Sequence, residues 1–195
     1  MQPSIDKYDD ETVYYTDFSN LLYPPQFAAV CFGLTTRRLK DIEDENGLDI
    51  RRIPRGTVTS RAYTLSDIFD IAAIRRTKGQ AKGLSRQVVI STFVPKGGTG
   101  KTTVTVNFGI HLQMQGLRVL IIDNDPQGDC SSELGYDPDL AQSDLEAMGI
   151  PLERYVGGHL GNLLSPELRG RHFDPLTFEQ VVKKPFGENG PHLIP

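Results

Sequence analysis

The stretch Val94-Pro-Lys-Gly-Gly-Thr-Gly-Lys-Thr-Thr103 decides the fold of this chain. Ahead of it, Val88-Val-Ile-Ser-Thr-Phe93 has the β-branched, apolar composition of a strand buried in a parallel sheet. Behind it, Thr102 to Gln115 sets Val104, Phe108 and Leu112 on one helical stripe, and Gly116 ends the helix. A glycine-rich loop between a strand and a helix is the setting in which backbone amides cradle phosphate. Glycines at 97, 98 and 100 open conformations closed to other residues and let the backbone come close to an anion. Their N–H groups, with those of the helix N-terminus, form a concavity for negative charge. Lys101 brings a mobile positive charge to β- and γ-phosphates, and the Thr102 hydroxyl is a ligand type for Mg²⁺. Residues Lys96, Gly97, Gly98, Thr99, Gly100, Lys101, Thr102 and Thr103 are the expected nucleotide-phosphate site.

Working outward toward the C-terminus, Val119-Leu-Ile-Ile122 reads as a second buried strand ending in the acidic turn Asp123-Asn-Asp125. Strand, helix and strand at this spacing predict a right-handed βαβ crossover. Past Gly135 the pattern weakens to short helices at about 139–148, 159–164 and 177–183, then a final strand in His192-Leu-Ile-Pro195.

Toward the N-terminus the chemistry changes. Residues 31–86 carry twelve Lys and Arg against seven acids, whereas residues 1–30 and 87–195 are net acidic. A basic middle inside a chain of net charge −4 predicts a localised polyanion-binding module. Gln26 to Phe32 reads as a short helix stopped at Gly33, and Thr36 to Asn46 as a second, with Leu39 and Ile42 inward and the charges outward. This is helix-turn-helix spacing. Ile50 to Tyr63 predicts a β-hairpin turning at Pro54–Gly56. Thr64-Leu-Ser-Asp67 is a capping-box variant that opens a helix ending near Arg76. Residues 1–20 are expected to be an acidic arm, 21–77 a winged helix-turn-helix module, 78–86 a linker, and 87–195 the start of an α/β nucleotide-binding domain.

The loop departs from the general pattern G-x-x-x-x-G-K-[ST], because Pro95 stands where the first glycine belongs and Lys96 adds a second lysine. The Lys-Gly-Gly-x-Gly-Lys-Thr form resembles the deviant Walker A motif of the ParA/MinD/nitrogenase-iron-protein superfamily. Ile121-Ile-Asp-Asn-Asp-Pro-Gln-Gly128 is similar to the D-x-D-P-Q-[GA] sequence of its ParA branch. The resemblance implies that Lys96 reaches a partner's nucleotide in an ATP-bound homodimer, that Asp123 approaches Mg²⁺ through its water shell, and that Asp125 orients the attacking water. Lys96, Lys101 and Asp125 are thus the expected catalytic residues, with Thr102 and Asp123 at the metal. It also implies non-specific DNA binding and a ParB-type centromere-binding partner that stimulates hydrolysis.

Residues 25–76 resemble the MerR-type winged module found ahead of the ATPase in larger plasmid ParA proteins. Expected DNA contacts are Thr36, Arg37, Arg38 and Lys40 at the start of the second helix, with Arg52, Arg55 and Arg61 on the wing. Autorepression of an operon is a further expectation, and the alternative is a nucleotide-responsive repressor without significant ATPase activity. A family ATPase also has a strand ending Asp-x-x-Pro, and no such stretch lies between 130 and 195. The sheet is accordingly expected to be truncated, with hydrolysis belonging to the full-length protein and poor solubility following from an unpaired edge.

Several classes are excluded by composition. No apolar run approaches the roughly 18 residues of a membrane span, and the N-terminus lacks the basic start and apolar run of a signal peptide. A MinD-like membrane cycle would need a C-terminal amphipathic helix that this sequence does not contain. Cys31 and Cys130 belong to no ligand-spaced cluster and are expected to be reduced, buried side chains. A cytoplasmic, nucleoid-associated protein with no membrane partner is the expectation.

Overall fold

A computed structural model describes residues 21–81, 83–164 and 176–195. The acidic arm expected at 1–20 lies outside the described residues.

The basic half folds as three helices and a hairpin. Helix α1 (Pro25–Cys31) begins on Pro25, whose fixed φ suits a first helical turn. Helix α2 (Thr36–Asn46) is capped by Thr35, whose hydroxyl accepts from the Arg38 amide at 3.2 Å. Strands β1 (Arg52–Arg55) and β2 (Val58–Arg61) pair antiparallel, Arg52 opposite Arg61 and Arg55 opposite Val58. The hairpin turns on Gly56-Thr57, one step later than the sequence suggests, and Pro54 sits inside β1 opposite Thr59. Proline is tolerated there because a two-stranded sheet has only edges. Helix α3 (Leu65–Thr77) opens with the expected box: the Thr64 hydroxyl accepts from the Asp67 amide, and the Asp67 carboxylate accepts from the Thr64 amide at 2.7 Å.

The second half contains α4 (Lys101–Met114), β3 (Leu120–Ile122), α5 (Asp129–Glu133), α6 (Gln142–Met148), a 3₁₀ turn at Leu152–Arg154, α7 (Leu160–Leu164), α8 (Phe178–Val181) and β4 (His192–Ile194). The parallel pair is β3 with β4, Ile121 facing Leu193. Two expectations are corrected here. Residues 88–93 form no strand: they are exposed and irregular, and no backbone hydrogen bond ties them to any described residue. Strand propensity has nothing to act on without a neighbour to complete the ladder. The Val104, Phe108 stripe of α4 is likewise exposed, and the helix buries Val106, Gly109, Gln113 and Met114 instead.

That buried face is set by close approach. A Cβ on Gly109 would lie 2.9 Å from Ile121 Cδ1, so glycine lets α4 settle against β3. Gln113, 4% exposed, donates from Nε2 to the Asn189 carbonyl at 2.6 Å and accepts the Val119 amide at 2.8 Å. One side chain thus fastens α4 to the start of β3 and to the loop before β4.

A single hydrophobic core runs through both halves, from Ala28, Leu39, Ile68 and Phe69 to Val106, Met114, Ile121, Leu134 and Leu193. The rings of Phe69 and Phe186 meet edge to face, centroids 5.5 Å apart. Polar contacts surround this seam: the Arg76 guanidinium donates to the Gly116 carbonyl, Gln115 to the Cys31 carbonyl and Asn189 to the Asp70 carboxylate. Gly116, at φ +91°, has no room for a side chain, since a Cβ would stand 2.6 Å from that of Ala81.

Candidate functional site

The glycine-rich loop leads directly into α4, with Gly100 at its N-cap in the left-handed conformation, φ +76°. Gly98 is also left-handed, φ +68°, and space is open around Gly97, Gly98 and Gly100. A β-carbon would strain both left-handed positions. Gly97 and Gly98 form a tight turn, the amides of residues 97, 98 and 100–103 donate to no backbone acceptor among the described residues, and the first helical bond runs from the Val104 amide to the Gly100 carbonyl. Unpaired amides at the positive end of a 14-residue helix are the elements of an anion site. Lys101 folds back so that Nζ donates to the Lys96 carbonyl at 3.4 Å, and the Thr99 hydroxyl donates to the same oxygen at 3.3 Å. Lys96 is exposed, Thr102 half-buried and Thr103 exposed.

Asp123 and Asp125 stand at the end of β3, as expected, in contrasting environments. Asp123 is 8% exposed. Its Oδ2 accepts both the amide and the hydroxyl of Ser131 at 2.8 Å, and Oδ1 accepts the Asp125 amide at 3.2 Å. The carboxylate thus caps α5 from outside, where the N-cap residue Gly128 has no side chain to offer. Asp125 is exposed and accepts the Gln127 amide at 3.1 Å. Next to them, burial together with the Asp123 and Glu133 carboxylates pushes the Cys130 thiol up to about 12. Burial also raises Cys31, and both cysteines are free.

No group of three His, Cys, Asp or Glu residues gathers to hold a metal among the described residues. The donors at hand are one hydroxyl, Thr102, and one carboxylate whose oxygens already take three hydrogen bonds. Such a set suits Mg²⁺, which keeps several waters and shares phosphate oxygens, rather than an ion caged by protein alone.

On the basic half, Thr36 is exposed and the six basic residues among the expected DNA contacts divide. Arg37, Lys40, Arg52 and Arg55 are exposed and form no ion pair among the described residues. Arg38 is paired with Glu45 at 2.9 Å and approaches Asp41 at 4.0 Å. Arg61 is paired with Glu43 at 2.5 Å and donates to the Thr36 carbonyl at 3.5 Å. Glu43, 4% exposed, also accepts from the Tyr63 hydroxyl, and burial with this carboxylate raises Tyr63 above its ordinary value. The sequence reading put Glu43 on the charged outer face. It follows Leu39 by four positions and Ile42 by one, on the buried stripe, and that spacing was the available signal.

No helix of the described residues is long and apolar enough to cross a membrane. Comparison with known proteins gives a family match and several relatives. Residues 90–184 match the sequence model of the CobQ/CobB/MinD/ParA nucleotide binding domain. Protein SopA of Escherichia coli strain K12 is 34% identical over 116 residues, 58% of this chain and 30% of SopA. Chromosome partitioning protein ParA of Caulobacter vibrioides is 60% identical over 40 residues, 20% of this chain and 15% of that protein. The sporulation initiation inhibitor protein Soj of Bacillus subtilis is 49% identical over 49 residues, 25% of this chain and 19% of Soj. The matched part spans less than a third of each of these relatives. Residues 90–184 are thus similar to a MinD/ParA-type nucleotide-binding domain.

Proposed function

We propose that these residues belong to a cytoplasmic, nucleoid-associated partition ATPase of ParA type, which binds ATP with Mg²⁺, dimerises on ATP and binds DNA. A ParB-type partner stimulates its hydrolysis. The observation that supports this most is the set of unpaired amides at 97, 98 and 100–103, gathered around Lys101 at the head of α4.

In this reading the amides and Lys101 hold the phosphates, and Thr102 offers its hydroxyl to the metal. Mg²⁺ held there would supply charge neutralisation at the phosphate oxygens. Asp125, exposed at the end of β3, orients the attacking water, and Asp123 contacts the metal's water shell. Lys96, also exposed, is free to reach a partner's nucleotide across a dimer. Residues 21–77 form a winged DNA-binding module, 78–86 its connection and 87–195 the beginning of the ATPase domain. Of the basic residues, Arg37, Lys40, Arg52 and Arg55 carry the DNA contact, because Arg38 and Arg61 are already committed to carboxylates.

The test is ATP turnover by the full-length protein with DNA and partner present. Lys101→Ala is expected to lower turnover at least a hundredfold and to weaken Mg-ATP binding in a calorimetric titration. Unchanged turnover in that variant would refute the assignment.

A second reading, a nucleotide-responsive repressor of its own operon, draws support from the core shared between α3 and α4. Operator binding should then differ between ADP and ATP and weaken in Arg37→Ala, Lys40→Ala. Indifference to both changes would eliminate it.

A further inference from the structure

We infer that Ser131 is a positioning residue for Asp123, and this rests on the assignment of Asp123 to the magnesium ion's water shell. Ser131 is 1% exposed and lies on α5, eight residues beyond Asp123. Its amide and its hydroxyl converge on the same oxygen, Oδ2, each at 2.8 Å. Both contacts are buried, so water cannot easily take the hydroxyl's place.

The arrangement divides the labour between the two carboxylate oxygens. An ionised carboxylate offers about four acceptor sites. Two at Oδ2 are taken by Ser131, and one at Oδ1 by the longer 3.2 Å contact from Asp125. The remaining capacity lies on Oδ1, which is enough to accept one water and too little to serve as a chelating ligand. Without the hydroxyl, the carboxylate would be held only by the Ser131 amide at Oδ2 and by the longer Asp125 contact at Oδ1. Adding the hydroxyl fixes its plane. Groups that orient direct metal ligands typically change metal affinity 10- to 100-fold; Ser131 acts through a carboxylate that meets the metal's waters, which places its effect at the lower end of that range. α5 is seated against α4, whose first turn contains Thr102, so the helix bearing Ser131 is braced on the helix that begins at the phosphate loop.

The experiment is a calorimetric titration of the protein with ADP, in saturating Mg²⁺ and again in EDTA. The ratio of the two affinities gives the magnesium enhancement. Ser131→Ala is expected to lower that enhancement about tenfold while leaving the affinity in EDTA unchanged. In an Asp123→Ala background the same substitution should do nothing further, because Ser131 acts only through that carboxylate. If Ser131→Ala is unfolded at the assay temperature, Ser131→Cys keeps the volume without a strong donor and takes its place. The inference is overturned if the enhancement survives, if both affinities fall together, or if the loss adds in full to that of Asp123→Ala. A parent protein that binds no ADP in either buffer overturns the nucleotide assignment and this inference together. A parent that binds ADP with a magnesium enhancement indifferent to Ser131 overturns the inference alone.

Discussion

Glu43 is the residue on which the basic half turns. It sits at the meeting point of α2 and β2, where it receives the Arg61 guanidinium and the Tyr63 hydroxyl. Glu43→Ala leaves the fully buried Tyr63 hydroxyl without an acceptor and strands a guanidinium whose side chain is 19% exposed. An unsatisfied buried hydroxyl costs about 1–3 kcal/mol and a broken, partly screened pair adds to it, so the expected loss is about 2–4 kcal/mol. Urea unfolding measures this, and Tyr63→Phe in the same background should recover part of it by removing the orphaned group. Arg61 was expected at DNA from its charge and its place on the hairpin. Charge is legible in a sequence, but a partner 18 positions away is not.

At the scale of elements, local signals were read well. Thr64 with Asp67 marks the start of α3, and Gly47 closes α2, because those interactions span only a few residues. Signals that depend on a distant partner were read poorly. Val88–Phe93 has strand composition, yet it is irregular, since a ladder requires a neighbour that composition does not supply. The stripe of Val104 and Phe108 was correctly seen as apolar, but apolar spacing does not say which face is covered. Gly109 decides that, by allowing α4 to come within contact of Ile121. The glycine-rich loop was legible as a loop running straight into a helix, with left-handed glycines at 98 and 100, although the strand expected ahead of it does not form. Gln113 escaped notice because a polar residue inside an amphipathic helix carries no mark of burial. Gln113→Ala should cost about 2–3 kcal/mol, since it leaves the Val119 amide and Asn189 carbonyl unpaired. Hydrogen exchange at the Val119 amide should speed up accordingly.

The whole molecule should be most vulnerable in alkali. Burial raises the Cys130 thiol from 9.0 to about 12, and Tyr63 is also raised above its ordinary value. Both groups hold their protons more tightly folded than unfolded: the Cys130 contribution is complete below pH 9 and fades as pH climbs toward 12, and that of Tyr63 begins to fade only above pH 10. The melting temperature is expected to fall through that window, and Cys130→Ala should flatten part of the decline. Glu133, raised by burial as well, makes the folded state slightly more tolerant of acid at that one site.

The continuous core has a mechanical consequence. Between α3 and α4 the backbone from Val88 to Phe93 is exposed and tied by no backbone hydrogen bond to any described residue, so a protease that cuts beside large apolar residues, such as thermolysin, should sever the chain there. The two pieces would nevertheless remain associated through Phe69, Phe186 and Met114. A nicked sample should therefore show two bands in denaturing gel electrophoresis and one peak in size-exclusion chromatography, separating only when denaturant dissolves the seam.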